Sequence, residues 1–275
     1  MKILLTGYKG FIGQNMLKYI KNNTDWEVDT FEWGEYWPGV FGYDWVIHLG
    51  AISSTTEKDI EKVLHQNYDF SKKLFDECKT FGVNLQYASS ASVYGQLTEF
   101  TEDSNLDPIT PYAWSKYLFE RYALDHESGN IVQGFRYFNV YGDHEDHKGN
   151  QASPVHQFVK QVKDTGKIKI FDDSENYFRD FICVEDVCRI HVEFIERITD
   201  SGIWNLGTGK ATSFAKVADY VIKNYGGKIK YVMMPDNLKR SYQYYTCSDN
   251  TKLEDTLGKQ YWISIKDFLK DKTKA

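Results

Sequence analysis

Ile3-Leu4-Leu5-Thr6-Gly7-Tyr8-Lys9-Gly10-Phe11-Ile12-Gly13 is the stretch on which the fold turns. Three apolar residues in a row make a short strand of the buried kind, and Thr6-Gly7 closes it. From Phe11 to about Lys21, apolar residues at 12, 16, 17 and 20 keep helical spacing. A strand that runs through a glycine turn straight into a helix places backbone N–H groups where a pyrophosphate can approach. Gly7, Gly10 and Gly13, with Phe11 and Ile12 between them, are therefore candidate cofactor contacts. Without its strand and helix the same pattern would be a plain turn.

Outward from this unit the alternation continues. Strands are predicted at Val28–Trp33, Trp45–Leu49, Val83–Ala88 and Ile131–Phe138, with helices at Ile60–Cys78 and Tyr112–Leu124. Strand–helix alternation predicts an α/β fold, a Rossmann-like doubly wound parallel sheet. After Tyr141 the texture changes. Polar segments at Gly142–Asn150 and Phe171–Arg179 read as loops. Further helices (Asp186–Ile198, Phe214–Asn224) and strands (Ile203–Leu206, Ile229–Met233) suggest a smaller C-terminal α/β substrate lobe. The expected division gives residues 1–140 and about 180–206 to the dinucleotide domain, and 141–179 with 207–275 to the substrate lobe. Ligands of open α/β sheets sit at the C-terminal strand edge between such parts.

The 275 residues carry 33 basic and 39 acidic side chains, a net charge of −6, which disfavours nucleic-acid binding. Only six of the cations are arginine. Cys78, Cys183, Cys188 and Cys247 are too scattered for a disulfide framework, and no apolar run approaches a membrane span. The four-residue apolar start is no signal peptide, so the expected compartment is the cytoplasm, away from any membrane. No metal is expected: Cys183 and Cys188 lack a second ligand pair, and His144 and His147 among Asp143, Glu145 and Asp146 read as a polar loop.

Two further motifs carry chemistry. Glu32 stands nineteen residues past Gly13, at the end of the second strand, where a carboxylate can accept both ribose hydroxyls of an adenosine. Taken alone it could equally be a solvated strand-end carboxylate. No Lys or Arg occurs between Trp33 and Trp45, so a 2′-phosphate would find little help. NAD is favoured over NADP, with Lys9 the one contrary signal. Tyr112 and Lys116 lie four apart and share a helix face. An ammonium beside a phenol eases the phenol's deprotonation. Ser90, at the end of the preceding strand, can reach the same substrate oxygen.

Together, the glycine turn, Ala88-Ser89-Ser90-Ala91-Ser92-Val93-Tyr94-Gly95, Tyr112/Lys116 and Phe135-Arg136-Tyr137-Phe138-Asn139-Val140-Tyr141-Gly142 resemble the extended short-chain dehydrogenases/reductases. These are the nucleotide-sugar epimerases and dehydratases, and the similarity spans the chain. Dehydratases carry an Asp-Glu pair where Ala91 and Ser92 stand, and GDP-fucose synthases a nearby Cys that is absent. Gly50-Ala51-Ile52-Ser53-Ser54-Thr55-Thr56-Glu57, His147-Lys148-Gly149, Ser174–Phe181, Asn205–Gly209 and Pro235–Lys239 with Tyr242-Gln243 resemble the ADP-glycero-manno-heptose 6-epimerases.

That resemblance implies Phe11, Ile12, Glu32, Gly50, Ala51, Ile52, Ser53, Ser54, Asn67, Lys116 and Val140 around the dinucleotide. The short segment that follows Trp33 leaves the adenine to be held by the glycine turn and by aromatics such as Trp33. It implies Tyr112 and Lys148 as proton-transfer residues, assisted by Ser90. Asn139, Asn150, Gln157, Phe171, Asp172, Asp173, Ser174, Arg179 and Tyr242 would line a nucleotide-diphosphate sugar. Arg179 has a reason of its own, because a guanidinium binds a diphosphate with two parallel hydrogen bonds. A surface ion pair with Asp180 or Glu175 is its bland alternative. Asn150 replaces a usual serine and Gln157 a substrate-side histidine, changes that bear on which sugar is taken.

The segment between the second strand and Trp45 is shorter than in the family, so the sheet should hold six strands rather than seven. The expected activity is transient oxidation of a sugar alcohol to a ketone and reduction from the opposite face. The rivals are a UDP-hexose 4-epimerase, another nucleotide-sugar oxidoreductase, and a catalytically silent dinucleotide sensor. A homo-oligomer is expected.

Overall fold

The computed structural model describes residues 1–126, 128–197, 200–236 and 243–273. Asn237, Leu238, Lys239 and Tyr242 of the C-terminal motif lie outside them. In chain order the first half comprises β1 (Lys2–Thr6), α1 (Phe11–Asn23), β2 (Glu27–Phe31), β3 (Trp45–His48), α2 (Ile60–Val63), a π-helical turn (Leu64–Asp69) and α3 (Phe70–Phe81). It continues with β4 (Asn84–Ser90), α4 (Pro111–Asp125), β5 (Val132–Tyr137) and β6 (Asn139–Tyr141). The second half comprises α5 (Pro154–Thr165), β7 (Lys167–Phe171), β8 (Phe178–Cys183), α6 (Val184–Arg197) and β9 (Gly202–Leu206). The last elements are β10 (Ala211–Ser213), α7 (Phe214–Tyr225), β11 (Lys228–Val232), α8 (Thr251–Leu257) and α9 (Ile265–Lys272).

Six strands form one parallel sheet in the order β2-β1-β3-β4-β5-β9. Alternate side chains of each strand face opposite helical layers, as the pleat requires. Leu4, Val46 and Leu85 pack with Leu74, Phe75 and Phe119 of α3 and α4. Ile3, Leu5 and Ile47 pack with Met16 and Ile20 of α1 and with Cys188 and Val192 of α6. Strands β1, β3, β5 and β9 are buried on both faces, the mark of a doubly wound sheet. No strand occurs between residues 34 and 43, and the chain reaches β3 through turns.

The smaller lobe holds a sheet of β10-β8-β6 and the pair β11-β7, joined by a core of Tyr141, Phe158, Val162, Ile168, Phe181 and Val221. Two readings change here. The loop expected over Phe171–Arg179 gives way to β8 from Phe178, because Phe181 and Cys183 alternate into this core. A helix that went unread, α5, is capped by Ser153, starts with Pro154 and ends at Gly166 with φ +68°, all ordinary boundary signals. The single helix expected over Ile60–Cys78 is split by the π turn and runs on to Phe81, where Gly82 at φ +67° ends it. Among the described residues no helix is long and apolar enough to cross a membrane.

Candidate active site

The turn between β1 and α1 leaves no room for a side chain at Gly7 or Gly13. Gly7 adopts φ +73°, and a Cβ there would stand 2.5 Å from Gly50 Cα; one on Gly13 would stand 2.0 Å from the Gly7 carbonyl oxygen. Backbone is thus packed on backbone where the strand ends meet, and the turn stays open to a bulky anion.

A cleft of about 400 Å³ opens beside it. It is lined by Gly7, Gly10, Phe11, Ile12 and Gly13 of the β1–α1 turn, Ala51, Ile52, Ser53 and Ser54 of the loop after β3, Tyr112 and Lys116 of α4, and Lys148 of the loop before α5. At its far end a recess of about 100 Å³ takes in Glu32, Trp33, Gly50 and Gln66. The Glu32 carboxylate accepts from Lys9 N and Trp33 N, each at 3.1 Å, so it is fixed at the recess edge. Trp33 is 45% exposed and packs edge-on against Phe70 and His65. The groups present fit an extended dinucleotide: a close-packed glycine turn for its diphosphate and a fixed carboxylate for a ribose.

Asn67 lines neither the cleft nor the recess but bonds to Ile52, which lines both. It is buried in the π turn, accepts from Ile52 N at 2.8 Å, and donates to Ile52 O and to Ser115 Oγ at 2.9 and 3.0 Å. Its carboxamide is consumed in holding the 50–54 loop, and it supports the cleft from behind. Val140 is half-buried against the core on the α1 and α6 side. His48, between Thr6 Oγ1 at 2.7 Å and Ser71 Oγ at 2.8 Å, ties β3 to β1 and α3.

The reactive side chains come from three elements. Thr110 caps α4 through its hydroxyl, so the helix starts at Pro111 and presents Tyr112 and Lys116 on one face. Lys116 Nζ donates to Ala88 O at 2.8 Å and lies 5.9 Å from the centre of the Tyr112 ring. Burial lowers its pKa to about 8, against an upward pull from Glu120. Burial raises that of Tyr112, and hydrogen bonding with Ser90 opposes the rise. Ser90 Oγ also caps the turn after β4, accepting from Ser92 N at 3.1 Å. Lys148 lies 5.0 Å from the Phe11 ring centre, and its pKa is lowered by burial against the opposing charge of Glu145. Glu145 is itself buried, accepting from Gly142 N and from the Ser153 hydroxyl at 3.0 and 2.7 Å. It shapes the whole polar loop that carries Lys148.

On the face of α4 toward the sheet, Glu120 accepts from the Arg136 guanidinium of β5 at 2.8 to 3.3 Å and from the Ser89 hydroxyl of β4, wholly out of water. Leu49, Ala88, Tyr137, His147 and Gln151 also line the cleft and were not foreseen. Tyr137 is held at 2.6 Å from His191 Nε2, a pairing between β5 and α6 that sequence distance hides.

The implied substrate residues divide. Gln157, Phe171 and Ser174 line a second cavity of about 310 Å³ with Phe158, Tyr177 and Phe214. The Ser174 hydroxyl bonds back to Phe171 O. Asn139 sits half-buried in β6, while Asn150, Asp172 and Asp173 are exposed outside both cavities. Arg179 is a strand residue rather than a loop one: it donates to Phe178 O at 2.8 Å and lies 5.6 Å from the Phe214 ring centre. The Asp180 carboxylate is engaged by Thr208, Gly209 and Ser248. Residues 147–157 connect the two cavities, supplying His147, Lys148 and Gln151 to one and Pro154 and Gln157 to the other. Among the described residues no three His, Cys, Asp or Glu side chains converge as metal ligands.

Residues 32–207 match the family model described as the NAD dependent epimerase/dehydratase family. An ADP-L-glycero-D-manno-heptose-6-epimerase of Alkalilimnicola ehrlichii is 36% identical over 288 residues, covering 91% of this chain and 90% of that protein. Among solved structures, the ADP-L-glycero-D-manno-heptose-6-epimerase of Helicobacter pylori superposes with a TM-score of 0.87 at 25% identity, covering 98% and 94% of the two chains. The UDP-glucose 4-epimerase of Thermotoga maritima, solved with UDP-glucose, gives 0.84 at 25% identity, over 100% and 98%.

Proposed function

The chain belongs to the NAD dependent epimerase/dehydratase family, and from that premise we propose that it is a nucleotide-sugar epimerase of the ADP-glycero-manno-heptose 6-epimerase kind. One observation carries the reading: two proton-transfer groups, Tyr112 and Lys148, stand on the walls of one cleft, with Lys116 beside the phenol. When bound, the nicotinamide dinucleotide supplies a hydride acceptor and then a donor. The protein's part is proton movement and positioning. The Lys116 ammonium favours the Tyr112 phenolate, which takes the proton of the sugar hydroxyl as the C–H bond gives up its hydride. Ser90 hydrogen-bonds the same oxygen, and Lys148 serves the hydroxyl when the sugar presents its other face.

Residues 1–140 with about 180–206 form the part that holds the dinucleotide, and 141–179 with 207–275 the part that holds the sugar nucleotide. The second cavity, joined to the cleft by residues 147–157, is the place for the nucleotide end of the substrate. Arg179, in β8 beside it, supplies charge for the diphosphate. NAD is the dinucleotide we infer, on Glu32 and the cation-free segment that follows. Phe81 on α3 and Trp114 and Leu124 on α4 are exposed, which supports a homo-oligomer. Four free thiols suit the cytoplasm.

The test is a panel of ADP-, GDP- and UDP-sugars followed by NMR for inversion at one carbon. Inversion of an ADP-heptose at C6 is the expected result. Inversion of UDP-hexoses at C4 alone would assign the chain to the 4-epimerases, and no turnover with any member would leave it a binding protein.

A further inference from the structure

Lys9 is the cation of the glycine turn, and none of the residues lining the adenosine-side recess is Lys or Arg. Its side chain does not stand free toward that recess. Lys9 Nζ lies 2.7 Å from Glu35 Oε1. The same carboxylate accepts from Glu32 N at 2.9 Å through its other oxygen and from the Tyr8 hydroxyl at 3.3 Å. Glu32, one turn of chain away, accepts from Lys9 N. Two carboxylates and one ammonium are therefore interlocked at the mouth of the recess. The ion pair is exposed, so its weight in folding is small. Its weight in charge balance is not, because it decides whether the turn shows a cation or a net negative edge.

We propose that Glu35 is a positioning residue that sets the choice of dinucleotide, by holding the Lys9 ammonium away from the ribose 2′ position. A 2′-phosphate would then meet the Glu32 and Glu35 carboxylates and a lysine already paired. A free 2′-hydroxyl meets the Glu32 carboxylate as a hydrogen-bond donor. This rests on reading the cleft as a dinucleotide site.

The experiment titrates NAD and NADP separately into the full chain, freed of bound nucleotide, by calorimetry. It uses the wild type, Glu35→Gln, Lys9→Met and the double variant, with thermal melting as a check of folding. Glu35→Gln should tighten NADP by about 5- to 10-fold with NAD changed less than about twofold, and added salt should erode the gain. The gain should vanish in the double variant. An unchanged ratio in Glu35→Gln, a gain that persists without Lys9, or a wild type that prefers NADP overturns the proposal. A wild type that binds neither dinucleotide overturns the reading of the cleft itself, and the proposal with it.

Discussion

The Gln151 carboxamide donates to Ser54 Oγ at 2.6 Å, and reaches Thr56 Oγ1 at 3.2 Å, joining the loop before α5 to the loop after β3. Both Gln151 and Ser54 line the cleft, so the contact closes one side of it. The bonds face solvent, and two such hydrogen bonds amount to about 1–2 kcal/mol. Gln151→Ala should therefore speed dinucleotide release by about tenfold while lowering the melting temperature by only about 2–6 °C. Stopped-flow fluorescence of the bound cofactor measures this; a release rate within twofold of wild type would reduce the clasp to a surface contact.

The buried Glu120–Arg136 pair ties α4, the helix that carries Tyr112 and Lys116, to β5. Arg136 also donates to Tyr94 Oη at 2.9 Å, which in turn donates to Asn205 Oδ1 at 2.8 Å. Removing the guanidinium strands a carboxylate with no access to water. Arg136→Met should lose about 3–5 kcal/mol in urea denaturation. A loss below about 1 kcal/mol would mean that water or a rearranged Ser89 satisfies Glu120.

The parts of the site that were legible are those built from neighbours in sequence. The glycine turn announces itself because strand, turn and helix follow one another, and Tyr112 with Lys116 because four residues make one helical turn. Glu32 is found by its place at a strand end. What stayed hidden depends on pairing across the fold. Asn67 reads as one more helical polar residue until the π turn aims it at Ile52. Tyr137 and His191 meet only when β5 and α6 pack. Glu35 looks like a loop acid until the turn at Glu32 folds it back onto Lys9. The missed α5 is a different case, since Ser153, Pro154 and Gly166 are readable stop and start signals that the surrounding polar residues obscured.

His48 and His191 are both buried and both held near pKa 3, chiefly by desolvation. Their unfolded-state value is about 6.5. As pH falls from about 6.5 toward 3, the unfolded chain takes up protons that the native protein refuses, so stability falls with pH in that window. Each histidine contributes a slope of up to about 1.4 kcal/mol per pH unit, and neither contributes above pH 7. His191→Gln should roughly halve the slope between pH 6.5 and 5, as read from urea midpoints. An unaltered slope would show that other groups govern acid sensitivity.

Tyr112 and Lys148 reach the cleft from different walls, α4 and the loop before α5. A single acid/base cannot serve both orientations of one alcohol unless the sugar swings past it. An exocyclic carbon, such as C6 of a heptose, can instead turn its hydroxyl from one wall to the other. Lys148 suits the second role because burial already lowers its pKa, and the Glu145 carboxylate that opposes this is occupied by Gly142 N and Ser153. With reduced cofactor and a keto or aldehyde analogue, Tyr112→Phe and Lys148→Met should each lose mainly one stereochemical course. Both should lose epimerisation by about 10²-fold or more. The product stereochemistry, read by NMR, separates this from simple loss of binding, which would suppress both courses equally. If Lys148→Met epimerises at the wild-type rate, Lys148 is a solvated loop lysine and one base, Tyr112, serves both faces as in a 4-epimerase.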